Sequence, residues 1–286
     1  IRTKYNPLYI LLFFQSPNFQ NQLKEKSIGT AQKGVYLKTL SNLNILLPPL
    51  DEQRIIADLF QSIEQSIDAN EKQEANLRLL KKQLLQNLFG EKKQFGNYLV
   101  NKDFELIKFE KLAFNISERV EPKKTNLGIY VGLEHLEPDS LIIERTGKPQ
   151  DVIGTKLKIY KGDIIFGKRR AYQRKVAVSH FDGIASAHSM ILRTNEKYIE
   201  KDFLPVFMQS EEFMNRAIQI SEGSLSPTIK WKTLANQEFF LPKKEKQLKI
   251  TEIFTQLDKT INQIKTQIQT LRMLKLKLLN EILDNK

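Results

Sequence analysis

The sequence predicts a mixed α/β (α+β) globular domain together with two long helices that pack on each other as a coiled coil. Three observations support this fold class: apolar runs at strand spacing between residues 128 and 193, two long stretches of heptad spacing, and an internal repeat that carries one such stretch in each copy. Sustained heptads are typical of coiled coils, and mixed strand and helix patterns are typical of layered α/β domains. The 286 residues are enough for about two domains.

The repeat relates two parts of the chain by an offset of 194 residues. Gln15-Ser16 corresponds to Gln209-Ser210, and the match continues without a gap over residues 10–89 and 204–283. A fixed offset over so long a stretch is the signature of a duplicated module. Residues 100–203 have no upstream counterpart, so we expect that the matching part of the first copy was lost at the N-terminus.

The repeat defines four regions. They are the C-terminal part of a first globular domain (1–50), a first helix (51–89), a complete second globular domain (100–244) and a second helix (245–286). The chain begins at Ile1 without an initiator Met, so we expect that it is a fragment of a longer protein.

Both predicted helices carry apolar residues at alternating spacings of four and three. Asp51 is the predicted N-cap of the first helix. The apolar residues at this spacing form a seam along each helix. Asn70 and Glu74 interrupt the seam of the first helix, and polar residues at such positions set the register of a coiled coil at a cost in stability. The alternative is that each amphipathic helix lies only on its own globular domain. The seam residues are Ile56, Phe60, Ile63, Ile67, Leu77, Leu84, Ile250, Phe254, Leu257, Ile261, Ile264, Ile268, Leu271 and Leu278.

The complete globular domain is predicted to contain five strands and a helix. The helix covers residues 202–220, with Asp202 as its cap. The strands are predicted at residues 128–133, 141–143, 161–166, 175–178 and 189–193.

Composition excludes several classes of protein. The formal charge is +12, which favours a polyanionic partner, and the absence of cysteine rules out disulfide scaffolds, Cys-ligated metals and a thiol nucleophile. Three histidines leave little for an imidazole-based metal site. No apolar run approaches the roughly 20 residues that span a bilayer. We therefore expect a cytoplasmic protein without a membrane partner.

The positive charge is concentrated in residues 156–175, which contain eight Lys or Arg residues and one Asp. Arginine pairs bidentately with guanine, glutamine pairs with adenine, and lysine neutralises phosphate. A solvated loop that only keeps the protein soluble is the alternative. The predicted DNA-binding residues of this segment are Lys168, Arg169, Arg170, Tyr172, Gln173, Arg174 and Lys175.

A second candidate DNA contact is the repeated small-residue segment that follows a helix in each copy. Ser27-x-Gly29-Thr30 corresponds to Ser221-x-Gly223-Ser224, and small residues with free amides let the backbone approach a phosphate closely. An ordinary helix C-cap is the alternative. We therefore predict that Gly223 and Ser224 contact DNA.

No catalytic or metal-binding constellation is predicted. Residues 162–168 have the glycine and lysine spacing of a P-loop, but Arg169 stands where a Ser or Thr would bind magnesium. Asp139 and Glu144 lack the Glu-x-Lys pairing of a nuclease metal site. The sequence thus predicts a binding protein rather than an enzyme.

Several segments resemble the target-recognition domain of specificity (S) subunits of type I restriction-modification systems. They are Gly132-Leu-Glu-His-Leu-Glu-Pro138, residues 161–175 and Phe181-Asp-Gly-Ile-Ala-Ser-Ala-His188. Leu47-Pro-Pro-Leu-Asp-Glu-Gln53 resembles the start of that family's conserved helical spacer, and residues 241–247 are a degraded copy of it. With the resemblance, His188 joins the predicted DNA-binding residues.

The resemblance implies two antiparallel helices that hold two recognition domains apart, each domain reading half of a split DNA sequence. It also implies double-stranded DNA, modification (methyltransferase) subunits and restriction (translocase and endonuclease) subunits as partners. S-adenosylmethionine, ATP and Mg²⁺ are expected on those partner subunits and none on this chain. Two alternatives stay open: a half-size subunit that acts as a homodimer, and a coiled-coil scaffold that binds DNA non-specifically or an acidic protein.

Overall fold

The computed structural model describes residues 4–27, 34–91 and 93–283, and the chain divides into two compact units. The terminal unit comprises residues 1–77 and 260–286, and the central unit comprises residues 78–259. The described helices are α1 (Pro7–Gln15), α2 (Pro17–Glu25), α3 (Leu37–Leu40), α4 (Leu50–Phe89), α5 (Phe109–Leu112), α6 (Phe203–Met208), α7 (Glu211–Gln219), α8 (Trp231–Ala235) and α9 (Lys244–Leu283). The described strands are β1 (Phe104–Lys108), β2 (Ala113–Ile116), β3 (Arg119–Val120), β4 (Tyr130–Val131), β5 (Lys156–Ile159), β6 (Ile164–Phe166), β7 (Val176–Val178), β8 (Gly183–Ala185), β9 (Met190–Thr194) and β10 (Glu238–Pro242).

The central unit contains two four-stranded sheets and a two-stranded ribbon. One sheet has the order β2-β9-β6-β7 and is antiparallel throughout, while the other has the order β3-β5-β8-β4 with a parallel β4–β8 pair. Ile165 packs with residues of both sheets in one apolar cluster, whereas Ile164 and Phe166 face the helical core. Because β6 is buried on both faces, its sequence is a continuous apolar run instead of an alternation.

Three of the predicted strands are shorter than expected, one is shifted by a single residue, and one is absent from the described structure. Within residues 128–133 only Tyr130 and Val131 form a strand, and residues 141–143 form none. Val178 donates its backbone N–H to the Leu141 carbonyl at 2.9 Å, but that single bond does not extend into a ladder. Apolar content alone therefore overpredicted strand here.

The predicted helix at 202–220 is two helices, α6 and α7. Gln209 and Ser210 separate them, and the Ser210 hydroxyl accepts a hydrogen bond from the Phe213 backbone N–H at 3.2 Å. Its repeat counterpart Ser16 caps α2 in the same way, accepting from Phe19 at 3.2 Å. A serine that starts a new helix is a common N-cap, so the break belongs to the repeated module.

Both long helices contain 40 residues and begin one residue before the predicted position. The Pro49 carbonyl accepts the first helical hydrogen bond, from the Gln53 N–H at 3.0 Å. Asp51 therefore lies inside the first turn and is not the N-cap, which corrects the prediction. A carboxylate in the first turn still interacts favourably with the helix dipole.

The two helices run antiparallel within each unit. In the terminal unit Glu71 pairs with Arg272 at 2.6 Å, and Glu64 pairs with Lys275. In the central unit Lys81 pairs with Asp258 at 2.6 Å. Ascending numbers on α4 meet descending numbers on α9, so the predicted fold class is confirmed.

The predicted seam residues fall into three environments. In the terminal unit a helix–helix cluster forms from Ile63, Ile67, Ile264 and Ile268, with Leu77, Leu271 and Leu278 packed against it. Ile56 and Phe60 instead join the apolar core made with α1 and α2. In the central unit Ile250 and Phe254 join the globular core, against which Leu84 and Leu257 pack, and Ile261 of the terminal unit is buried. Helix pairing and docking on the globular domain are therefore both present.

Asn70 does not bridge the helices. Its side-chain amide donates to the Ser66 carbonyl of its own helix at 2.7 Å. Two polar seam positions that pair across the helices are Lys81 and Lys275, which are the repeat counterparts of each other. The register is thus marked by these lysines, and not by Asn70.

Candidate nucleic-acid interface

The basic segment lies between β6 and β7 of the central unit. It contains one turn of 3₁₀-helix, Ala171–Gln173, flanked by Arg170 and Arg174 in the left-handed region at φ 57° and 55°. Buried Ala171 anchors the turn, while Tyr172 is 53% exposed. Non-glycine residues at positive φ are costly and persist only where the surroundings hold them, so this loop has a defined shape.

His188 and the stretch that follows the second candidate segment both meet the basic segment. The Arg170 N–H donates to the Pro227 carbonyl at 2.8 Å, and the Ile229 N–H donates to the Lys168 carbonyl at 2.9 Å. The Arg169 N–H reaches the His188 carbonyl at 3.4 Å. The fold therefore brings together residues that lie up to 61 positions apart in the sequence.

The side chains converge as the backbones do. Arg169 donates to the Ser226 hydroxyl at 3.0 Å and lies 3.1 Å from Nε2 of His188, while Arg170 Nε donates to the same hydroxyl at 3.3 Å. Burial, and then the charges of Arg169, Lys168 and Lys156, lower the pKa of His188. A neutral imidazole can accept the arginine's hydrogen bond, which orients the guanidinium.

Residues 222–228 form a closed loop that presents the second candidate contact. Glu222 and Thr228 exchange two backbone hydrogen bonds, at 3.0 and 2.9 Å, and close its base. Gly223 has a φ of +108°, which only glycine adopts readily, and Ser224 is exposed beside it. Leu225 at the tip is 91% exposed. The corresponding Gly29 and Thr30 lie outside the described residues.

Arg174 and Lys175 have roles inside the protein. Arg174 pairs with Asp139 at 2.7 Å and with Glu211 at 3.3 Å, and it also donates to the Gln209 carbonyl at 2.7 Å. Lys175 Nζ donates to the Leu133 carbonyl at 2.6 Å. Both side chains therefore help to hold the loop in place, and their contact with DNA stays a prediction.

Lys168 is half-buried at the start of the segment. Burial, and then the charge of Arg119, lower its pKa. Arg119 lies on β3, far from the basic segment in sequence, so the clustering of Lys and Arg along the chain did not point to it. Gln173 is partly exposed at the end of the 3₁₀ turn. Among the predicted DNA-binding residues of the basic segment, Arg170 and Tyr172 are exposed and the other five are partly exposed.

The described residues offer neither a metal-binding cluster nor a membrane-spanning helix. Within residues 4–27, 34–91 and 93–283, no group of three His, Cys, Asp or Glu side chains is placed to hold a metal ion. None of the described helices has the length and apolarity needed to cross a membrane.

A comparison with known families places this architecture. The profile described as "Type I restriction modification DNA specificity domain" matches residues 2–79 and 140–272, which is well over half of the chain. The chain belongs to this family. The two matched stretches include most of both repeat copies. Specificity subunits are the non-catalytic subunits of type I restriction-modification systems, so the absence of a predicted catalytic constellation fits the family.

Individual relatives agree with the family assignment. The type I restriction enzyme MjaVIII specificity subunit of Methanocaldococcus jannaschii is 26% identical over 305 aligned positions, which cover 97% of this chain and 70% of the relative. Two solved structures share the fold. The S subunit from M. genitalium has a TM-score of 0.63 at 16% identity, and the alignment covers 97% of this chain and 74% of that subunit. The HsdS subunit from Thermoanaerobacter tengcongensis has a TM-score of 0.53 at 18% identity, and the alignment covers 96% of this chain and 69% of that subunit.

Sequence reasoning missed one repeated structural device of the specificity subunit. Buried Gln53 accepts from the Asn6 N–H at 3.0 Å and donates to the Pro48 carbonyl at 2.8 Å. Its counterpart Gln247 accepts from Glu200 at 2.8 Å and donates to Pro242 at 2.7 Å. The identity of the two glutamines was visible in the repeat, but their bonding partners were not. Each glutamine fastens the start of a long helix to its own unit.

Proposed function

We propose that this specificity subunit reads one half of a bipartite DNA target with its central unit. The observation that carries the proposal is the convergence of Arg169 and Arg170 on Ser226 of the loop 222–228, with His188 beside Arg169. Arginine and glutamine side chains distinguish bases in the major groove, and an exposed leucine offers an apolar contact for a thymine methyl group. The shared Ser226 hydroxyl holds both guanidinium groups before DNA arrives, which reduces the entropy lost on binding.

The first prediction concerns base recognition. Changing Arg169, Arg170 or Gln173 to Ala should reduce discrimination between cognate and scrambled duplexes by roughly 1–3 kcal/mol for each true base contact. The measurement is duplex affinity by fluorescence anisotropy, with the target taken from methylation-sensitive sequencing of the source genome. Arg174→Ala should instead lower the free energy of unfolding, because it removes the partner of Asp139 and one of the two cations that pair with Glu211.

Lys197→Ala is the matched control. Lys197 follows β9 at the end remote from His188 and lies exposed, so its loss removes one positive charge without touching the candidate readers. If all three reader variants weakened every duplex equally, these residues would contact phosphate and the assignment of base readers would be wrong. Binding without sequence preference in the unmodified protein would favour the scaffold alternative.

We also propose that α4 and α9 bind modification subunits. Each helix exposes a pair of large apolar side chains at repeat-equivalent positions, Leu79 and Leu80 on one helix and Met273 and Leu274 on the other. Exposed apolar residues that recur in both copies of a module mark a surface for a partner better than isolated ones do. Two equivalent patches also fit two copies of the same partner.

The second prediction tests these patches. Leu79→Gln with Leu80→Gln, and separately Met273→Gln with Leu274→Gln, should each remove one bound methyltransferase subunit in sedimentation velocity, while duplex affinity of the free subunit stays unchanged. Glutamine keeps helix propensity, so the helices should persist. Leu106→Gln, at an exposed leucine of β1, is the control and should leave the complex intact. Unchanged stoichiometry in both double variants would exclude these patches as the docking surface.

Catalysis in this proposal belongs to the partners. S-adenosylmethionine is held by the modification subunits, and ATP with Mg²⁺ is held by the restriction subunits. The purified chain should therefore show neither methyl transfer nor cleavage when it is given these cofactors and duplex DNA. Turnover by the chain alone would contradict this assignment.

A further inference from the structure

A cleft of about 530 Å³ in the central unit lies beside the basic segment and is rich in positive charge. Four separate parts of the sequence contribute a cation to its lining: Arg119 from β3, Lys156 from β5, Lys168 after β6, and Lys230 before α8. None of the described residues that line it is an Asp or Glu. A recess lined by one sign of charge concentrates counter-ions of the opposite sign.

Two of the four cations have partners elsewhere. Lys230 pairs with Glu222 at 2.6 Å, and Lys156 donates to the carbonyls of Ile153 and Gly154. Arg119 and Lys168 differ, since no carboxylate pairs with either of them in residues 4–27, 34–91 and 93–283. Burial disfavours the charged form of Lys168, and the like charge of Arg119 adds to that cost. An anion in the cleft would relieve that repulsion.

A neutral group in the same lining points to the same ligand. Ser189 is completely buried, and its hydroxyl has no hydrogen-bond partner in the described part of the chain. Buried hydroxyl groups are nearly always paired, so an unpaired one calls for an explanation such as an absent ligand. A phosphate oxygen would accept a hydrogen bond from Ser189 and charge-assisted bonds from the two cations.

We propose that this cleft binds one backbone phosphate of the DNA, held by Arg119, Lys168 and Ser189. The inference rests on the proposed DNA-reading function and adds a positioning contact to it. DNA is favoured over free phosphate because the cleft adjoins the candidate base readers. Lys168 is the immediate neighbour of Arg169, and Thr228 of the loop 222–228 lines the same cleft. A phosphate fixed there would set the register of the duplex against the readers.

The test compares charge-removing and charge-keeping variants of the full chain. Arg119→Ala and Lys168→Ala should each weaken cognate and scrambled duplexes by the same factor, roughly tenfold, and reduce the slope of log affinity against log salt by about one. Ser189→Ala should weaken both duplexes roughly threefold. Arg119→Lys and Lys168→Arg should keep the slope, and the Lys197→Ala control should change affinity less than twofold.

A duplex series with one neutral methylphosphonate at a time identifies the contact. A single position should weaken binding to the unmodified protein, and the same position should have no effect on Arg119→Ala. If methylphosphonates weakened the binding of Arg119→Ala at the same positions as in the unmodified protein, the proposal would be overturned. A change in the preference between base sequences in Arg119→Ala would also overturn it.

Two further outcomes separate this proposal from the one it rests on. If the unmodified protein lacked sequence preference but Arg119→Ala still reduced the salt slope, the reading function would fail and the phosphate site would stand. If the unmodified protein kept its sequence preference and Arg119→Ala left the salt slope unchanged, only the phosphate site in the cleft would be refuted. Inorganic phosphate that binds the free protein through Arg119, with duplex affinity unaffected by Arg119→Ala, would assign the cleft to free phosphate and refute the DNA contact.

Discussion

The two ends of the helix pair carry the same ion pair in different surroundings. Lys81–Asp258 in the central unit and Lys275–Glu64 in the terminal unit occupy repeat-equivalent positions. The Lys81 side chain is 9% exposed and its Asp258 partner 23%, whereas Lys275 is 20% exposed and Glu64 47%. The duplication preserved the lysine and an acidic partner, aspartate in one copy and glutamate in the other, but the neighbours decide how much water reaches each pair.

A third residue accounts for much of the difference. Gln209 is almost completely buried, and its side-chain oxygen accepts from Lys81 Nζ at 2.7 Å. The repeat counterpart of Gln209 is Gln15, which is exposed. A buried charge is tolerated only when it is paired and hydrogen-bonded, so the central unit depends on its lysine more than the terminal unit does.

The largest expected effect tests this dependence. Lys81→Met leaves Asp258 without its partner in a mostly buried setting and should lower the free energy of unfolding by about 3 kcal/mol. Lys275→Met should cost about 1 kcal/mol or less, because water screens the more exposed pair. Hydrogen exchange of the amides in α4 and α9 reports each end separately.

Lys82→Met is the neighbouring control, since Lys82 lies 3.9 Å from Glu211 and is 60% exposed. It should have almost no effect. Combining Lys81→Met with Asp258→Leu should recover much of the loss, because the uncompensated charge is then removed. If Lys81→Met and Lys275→Met lowered the free energy of unfolding by the same amount, the difference in burial between the two ion pairs would have no energetic effect.

The glutamines at the helix starts should behave alike. Gln53 and Gln247 are 1% and 2% exposed, and each makes two backbone hydrogen bonds within its own unit. Alanine at either position should cost about 1–2 kcal/mol, since buried backbone groups lose their partners. Urea unfolding of the full chain with the same exchange readout measures both variants. A cost at only one end would mean that the two bonding patterns are not energetically equivalent.

The smallest expected effect is a pH dependence confined to the central unit, which holds all three histidines. The pKa of His188 is lowered in the folded protein, chiefly by burial and then by Arg169. The unfolded chain therefore binds more protons just below the ordinary histidine pKa of about 6.5. Stability should rise with pH through that window and level off above it.

His188→Gln isolates this contribution, because His135 and His180 remain in both proteins. The urea midpoint of the unmodified protein should fall more steeply between pH 7.5 and pH 5.5 than that of the variant. The difference should be small, since the side chain is exposed. If the urea midpoints of the unmodified protein and the variant changed with pH in parallel, the neutral imidazole of His188 would not stabilise the fold.

Sequence reasoning succeeded where a pattern is local or repeated. Heptad spacing predicted both long helices because burial of one helix face requires apolar residues at that period. The repeat linked Ser16 with Ser210, although reading 202–220 as one helix overlooked the cap that Ser210 provides. Apolar content failed at residues 141–143, because a strand needs a paired ladder and not merely buried side chains.

The candidate interface was only partly predictable. Charge clustering found Lys168, Arg169 and Arg170, because like charges adjacent in sequence are visible without a structure. It could not show that Arg174 pairs with Asp139, because Asp139 lies 35 residues away and meets Arg174 only in the fold. It overlooked Arg119, whose position in the cleft depends on the pairing of β3 with β5.

The sequence by itself determined the duplicated module, the paired helices, the family and the location of the positive charge. The tertiary structure decided which charges are paired, because only the folded chain brings Asp139 and Glu211 to Arg174, while no carboxylate in the described part of the chain pairs with Arg119 or Lys168. Local patterns encode periodicity and residue type. The free energy of a charge depends on its burial and its partners, which long-range packing alone sets.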